Sequence, residues 1–257
     1  MSIFAIKIVA LAAMLLDHTY KVFGTDLYTN FQIDAELTTL IGRIAFPLFA
    51  FAFAEGCRKT KHSRKRFLRL TVFAVLSEPC YHFAQNINNR IRLQQGGGRI
   101  LWFIPGKFHN VLFTFLLTLI FITWVKKSRP KTILKCSALM AVMLLAEMLG
   151  TDYGGWGVLL TAALYFCKNT RQSALLLFLW NTLFYLGFAS WNGSALMWWG
   201  AQRSPYYIIQ WLFACAAILP VYFYNGKAGR KSTWLFYVFY PSHLLALALI
   251  REIIYRI

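Results

Sequence analysis

Nine apolar stretches, at residues 3–23, 38–55, 67–84, 108–125, 132–149, 156–168, 173–190, 206–224 and 234–254, fill most of the chain. Runs of about 17–25 apolar residues match the hydrocarbon thickness of a bilayer when helical. A helix also satisfies its own backbone there, which an irregular chain does not. The pattern predicts an all-α fold, a polytopic membrane helix bundle of about nine transmembrane helices (about 8–10), built as a single domain over residues 1–257. The sixth stretch is short and calls for a tilted, kinked or protein-shielded helix.

Composition agrees. Only 14% of the residues are charged and 58% are apolar, whereas an ordinary soluble domain is about 25% charged. A net charge of +18 points first to nucleic acid, but its distribution argues against that partner. Counting residues just inside the adjoining spans, the second, fourth, sixth and eighth connections carry 17 of the Lys and Arg residues. The odd connections hold Arg90, Arg92, Arg99, Lys107 and Arg203, with Lys21 at a span edge. Such asymmetry places the even connections and the N-terminus in the cytoplasm, and, with nine spans, the C-terminus outside. Lys7, near the inner end of the first span, snorkels the same way.

Several features carry little chemistry. Cys57, Cys80, Cys136, Cys167 and Cys215 include no CxxC pair, so neither disulfides nor a metal site is expected. The first apolar run lacks a basic n-region and a cleavage site and reads as a retained span. The third connection, Gln85 to Lys107, contains Gly96-Gly97-Gly98, a flexible external loop or a lid.

Ionisable residues inside apolar stretches are functional suspects, because each costs several kcal/mol unless solvated or paired. Asp17 and His18 interrupt the first span, Arg43 the second, Glu78 the third and His243 the ninth. At about 1.5 Å rise per residue, His18, Arg43 and Glu78 lie about 8–9 Å below the outer boundary, and His243 nearer mid-membrane. Asp152 and His109 cap spans on the outer side. A polar cavity in the outer half of the bundle follows. Adjacent helical residues diverge by about 100°, so Asp17 is expected to pair with Arg43 while His18 points into the cavity as a general base. Pro47, Pro79 and Pro241 fall beside Arg43, Glu78 and His243, and broken helices at this depth line protein cavities. The basic run from Arg58 to Arg66, including Arg58, Lys59, Lys61 and Arg64, marks the cytoplasmic side and offers phosphate-binding groups for an anionic cofactor.

These motifs resemble the TraX family of membrane proteins. The resemblance rests on Leu15-Leu16-Asp17-His18, Ile41-Gly42-Arg43-Ile44-Ala45-Phe46-Pro47, Ala54-Glu55-Gly56, Ser77-Glu78, Asn110-Val111-Leu112-Phe113-Thr114, Asp152-Tyr153-Gly154 and Phe239-Tyr240-Pro241-Ser242-His243. The family's named member is implicated in N-terminal acetylation of a conjugative pilin. The resemblance implies a multi-pass acetyltransferase of the bacterial cytoplasmic membrane, an acyltransferase drawing on cytosolic acetyl-CoA as acyl donor, with no metal. It implies His18, Asp17 and Arg43 as catalytic residues and Glu78, Asn110, Asp152, Tyr153, Tyr240 and His243 as pocket residues. His18 acts as base or acyl carrier, and the external acceptor is a protein amine, a glycan, a wall polymer or a small molecule. The alternatives are a proton-coupled transporter using Asp17, His18, Arg43 and Glu78, or a structural partner in which the polar cluster is interhelical glue.

Overall fold

A computed structural model describes residues 1–31, 36–60, 62–94, 110–188, 205–230 and 233–254. Lys61, His109 and the Gly96-Gly97-Gly98 tract lie outside them. The helices are α1 (Ile3–Phe31), α2 (Glu36–Gly42), α3 (Ala45–Lys59), α4 (Ser63–Gln94), α5 (Val111–Ser128), α6 (Thr132–Met148), α7 (Gly154–Phe166) and α8 (Thr170–Asn181), which runs on into a π-helical segment (Thr182–Phe188). They are followed by α9 (Pro205–Cys215), α10 (Ile218–Tyr222) and α11 (Thr233–Ile254). No strand occurs among the described residues. Among the described residues four segments, Ile3–Gly24, Leu37–Lys59, Val111–Ser128 and Thr233–Ile254, are long and apolar enough to cross a bilayer, as a membrane protein requires. At 17 and 13 residues, α6 and α7 are shorter.

Prolines decide where the apolar stretches break. Pro47 lacks the N–H that would bond the Arg43 carbonyl. The second stretch accordingly splits into α2 and α3, with Arg43 N–H and Ile44 N–H bonded three residues back to Leu40 and Ile41. Pro220 acts likewise on Ala216, and the eighth stretch divides into α9 and α10. Pro79 and Pro241 are carried inside α4 and α11 without ending them. Nothing between Gln85 and Gln94 breaks a helix, and α4 extends ten residues into what the sequence suggested was a loop.

Helix α3 is the hub. Its small residues Ala50 and Ala54 are fully buried and let α1 and α7 approach its backbone closely. Helices α5 and α8 complete one apolar core around it, and α1, α4 and α11 form a second. The opposite surfaces are apolar and exposed. On α6, Ile133 and Met148 are 83% and 78% accessible, as expected of a lipid-facing helix. The start of α1 is tied to the chain ahead of α11, where Ile3 and Phe4 N–H groups donate to the Lys227 and Ala228 carbonyls. That tether makes α1 begin level with Lys227–Ala228, several residues before α11 starts.

Candidate active site

The stagger between α1 and α11 brings their histidines together. His18 lies fifteen residues into α1 and His243 ten into α11, yet His18 Nδ1 and His243 Nε2 are 2.7 Å apart and both side chains are buried. The imidazoles are nearly parallel, with ring centroids 5.0 Å apart. The expectation that His243 sits deeper than His18 is therefore corrected, because helix boundaries fix height only when the helices start level.

The proton positions in this pair follow from one carbonyl. His243 Nδ1 lies 2.7 Å from the Phe239 carbonyl oxygen, one turn back on α11. A carbonyl only accepts, so Nδ1 carries the proton and, in a neutral ring, Nε2 is the acceptor. His18 must then donate from its Nδ1–H to His243 Nε2, which leaves the lone pair of His18 on Nε2. Asp17 Oδ2 lies 4.0 Å from that Nε2. The two neighbours do converge, since their side chains bend toward each other across the 100° that separates their Cβ atoms. A proton arriving at His18 Nε2 thus meets a carboxylate that stabilises the resulting imidazolium.

Asp17 pairs with Lys21, one turn on, at 2.6 Å, a partner the sequence did not suggest. Lys21 sits at the i+4 position that favours such pairs. The Arg43 guanidinium donates to the hydroxyl of Tyr185 and interacts electrostatically with Tyr153 and Asp152. Tyr185 belongs to the π-helical segment, a geometry that recurs at functional sites. Gly42 makes the junction possible. A Cβ there would overlap the Asp17 side chain, so only glycine lets α2 end against α1.

The turn between α6 and α7 closes this outer cluster. Tyr153 has a left-handed backbone (φ 59°) and stacks on Phe46, with ring centroids 3.7 Å apart, just beyond the Arg43 break. Thr114 hydroxyl donates to the Asp152 carbonyl, and Tyr153 N–H donates to Asp152 Oδ1 at 3.1 Å. Burial pushes the Asp152 carboxyl up to about 6, with Lys21 and Arg43 drawing it partly back. Glu147 accepts from Gly155 N–H at 2.8 Å and caps the N-terminus of α7.

Glu78 and Asn110 meet each other rather than the histidines. Glu78 accepts from the Asn110 backbone N–H, the Asn110 side-chain amide and His82 Nε2, the last at 3.1 Å. Asn110 caps α5 by accepting from Leu112 N–H. This clamp fixes the start of α5 against α4. Tyr240 bridges the clamp and the histidines: it hydrogen-bonds the Val111 backbone, and its ring lies edge-on to His18 and His243.

The basic run is used differently from expectation. Arg58 donates to the carbonyls of Leu164, Tyr165 and Cys167 at the end of α7 and pairs with Glu55. Lys59 donates to Tyr224 hydroxyl and the Gly226 carbonyl. Arg64 is exposed, and Lys61 falls outside the described residues. Lys7, Arg66 and Arg69 instead line a cavity of about 270 Å³ among α1, α3, α4, α5 and α11 that ends at Tyr240. Sequence reasoning missed Tyr185, Lys21 and Arg69 as site residues, whereas Arg66 closes the basic run it singled out for phosphate. Only Lys21 had a readable signal, its spacing from Asp17. Among the described residues no cluster of His, Cys, Asp and Glu could hold a metal ion.

Comparison with known proteins is consistent across the chain. The TraX protein family matches residues 2–251. The probable fimbrial assembly protein FimC, serogroup H1, of Dichelobacter nodosus is 27% identical over 256 residues, which cover 96% of this chain and 94% of that protein. Protein TraX of Escherichia coli (strain K12) is 30% identical over 159 residues, 61% of this chain and 52% of that protein, so the match spans about half its length. No solved structure matches.

Proposed function

The chain belongs to the TraX family, and from that premise and the histidine pair we propose that it is an acetyltransferase of the bacterial cytoplasmic membrane. The observation that carries the reading is the directed hydrogen-bond chain from the Phe239 carbonyl through His243 to His18, which presents His18 Nε2 as a base beside Asp17. The basic end, with Lys7, Arg66 and Arg69, faces the cytoplasm, and the Asp17, Arg43, Asp152 and Tyr153 cluster faces out.

Cytosolic acetyl-CoA supplies the thioester. His18 Nε2 takes the proton of the acceptor amine or hydroxyl as that group attacks the thioester carbonyl. The C–S bond breaks as the new C–N or C–O bond is retained, and the proton on His18 Nε2 passes to the departing thiolate. Asp17 holds the transient imidazolium charge, and His243 shares it through the 2.7 Å contact. Arg43, steadied by Tyr185, supplies the cation for the developing oxyanion. A relative whose name is a fimbrial assembly protein supports a pilin-type subunit as acceptor.

The test uses purified protein in proteoliposomes with labelled acetyl-CoA and a pilin-derived peptide bearing a free N-terminus. Label should reach the peptide with the parent protein and fall by about 10²–10⁴ with His18→Gln. Transfer at the parent rate by His18→Gln, with the protein folded, ends the assignment.

A further inference from the structure

Lys7 on α1 and Arg66 and Arg69 on α4 stand around one end of the 270 Å³ cavity, and among the described residues none has a carboxylate within ion-pair distance. Their neighbours are aromatic rings and carbonyls. Lys7 Nζ sits 4.6 Å from the Phe236 ring centroid, the Arg66 guanidinium is 4.3 Å from that of Phe53, and Arg66 donates to the Phe53 carbonyl at 3.0 Å. Gly56 leaves the room that Arg66 needs, since a Cβ there would come within 2.8 Å of Arg66 Nη1. Beyond the cations the walls become apolar, with Leu11, Met14, Phe115 and Leu70, and the cavity stops at Tyr240, whose ring touches both histidines.

Three cations gathered around one cavity mouth without an acid repel one another, a cost that a bound anion would offset. Phosphate fits best, because Arg66 and Arg69 lie three residues apart on one helix face and both guanidinium-bearing side chains line the cavity. The cavity is small for a whole ligand, at the low end of ligand pockets, so a bulky head stays at the mouth and a slender chain enters. From Lys7 to His18 is eleven residues of α1, about 16 Å.

We propose that this cavity is the binding site of a phosphate-bearing amphiphile, its phosphate held by Lys7, Arg66 and Arg69 and its narrow flexible arm running past Met14 to Tyr240 beside the histidines. Two molecules share that chemistry, a coenzyme A thioester and a membrane phospholipid. The thioester branch rests on the acetyl-transfer reading; the site itself does not.

The experiment measures binding on the full chain in detergent, in a His18→Ala background where turnover is removed. Coenzyme A is the first probe, pantetheine without phosphates the second, and native mass spectrometry reports co-purified phospholipid. If the thioester is the occupant, coenzyme A binds, pantetheine binds at least about tenfold more weakly, and Arg66→Gln with Arg69→Gln weakens coenzyme A about tenfold or more. Arg66→Lys with Arg69→Lys retains part of the affinity and shows that the fold survives, and Lys127→Gln, exposed and outside the cavity, changes nothing. If a lipid is the occupant, coenzyme A does not bind, and retained phospholipid disappears in the Gln double variant. Coenzyme A affinity and retained lipid both unchanged by the Gln double variant overturn the proposal. Arginine-dependent binding without acetyl transfer by the parent would leave this site standing and remove the transferase reading.

Discussion

His243→Phe isolates the hydrogen-bond chain from everything else at the site. Phe keeps a planar ring for the stack on Phe239, whose centroid lies 4.7 Å from that of His243. It removes both the donor to the Phe239 carbonyl and the acceptor for His18 Nδ1–H. His18 then loses the partner that holds its proton on Nδ1, and the productive tautomer is no longer favoured by the net value of one buried hydrogen bond, about 1–1.5 kcal/mol. That corresponds to about a tenfold fall in kcat, with KM for acetyl-CoA unchanged because the cavity is intact. His243→Gln restores an acceptor oxygen within reach and should recover most of the rate, whereas His18→Gln should not. The assay is thiol release from acetyl-CoA in proteoliposomes with the pilin-type peptide, read as kcat and KM separately. A His243→Phe protein with parental kcat, or one in which only KM changes, would refute the tautomer argument.

Gly42→Ala should be poorly tolerated, because its Cβ overlaps the Asp17 side chain; an overpacked junction costs about 1–3 kcal/mol, read as a lowered Tm and loss of activity together. Asn110→Ala removes the cap of α5 and the side-chain amide that donates to Glu78 and to the Ala74 carbonyl, and should cost about 2–3 kcal/mol in thermal unfolding while leaving binding at the Lys7 end intact. Asp152 gives a pH signature. Its folded-state value of about 6 lies above the usual carboxylate range, so its stabilising contribution is complete below about pH 4 and is lost as pH rises through 6. Asp152→Asn should therefore raise Tm by several degrees at pH 7.5 and hardly at all at pH 4, the charged form costing at most about 3 kcal/mol; equal shifts at both pH values would contradict this.

Much of the fold was written in apolar periodicity and proline placement. Pro47 announced the break at Arg43 and Pro220 would have announced the one at Ala216, because a missing N–H is a local property. The site was legible in its residue types and less so in its pairings. Asp17, His18, Arg43 and His243 stand out as ionisable groups in apolar stretches, but which of them touch depends on distant chain. The registration of α1 against Lys227–Ala228 lifts His243 to the height of His18, and no window around either histidine contains that information. Tyr185 is one aromatic among many in an apolar stretch and became visible only when the π-helical segment turned it toward Arg43.

The basic residues carry the sharper lesson. A positive-inside signal and a phosphate site draw on the same side chains, and counting charges per connection cannot separate them. Position along the helix does so after the fact. Arg58 and Lys59 lie at the end of α3, where carbonyls of α7 and the 224–226 segment consume their donors, and in that place they lock helices together. Arg66 and Arg69 lie in the first two turns of α4 and line the cavity, and Lys7 lines it from α1. Lys7, Arg66 and Arg69, on two helices that wall one cavity, have no carboxylate partner among the described residues and remain available to an anion. That placement around one cavity, more than the number of charges, distinguishes the cations that would receive a phosphate from those that lock helices together.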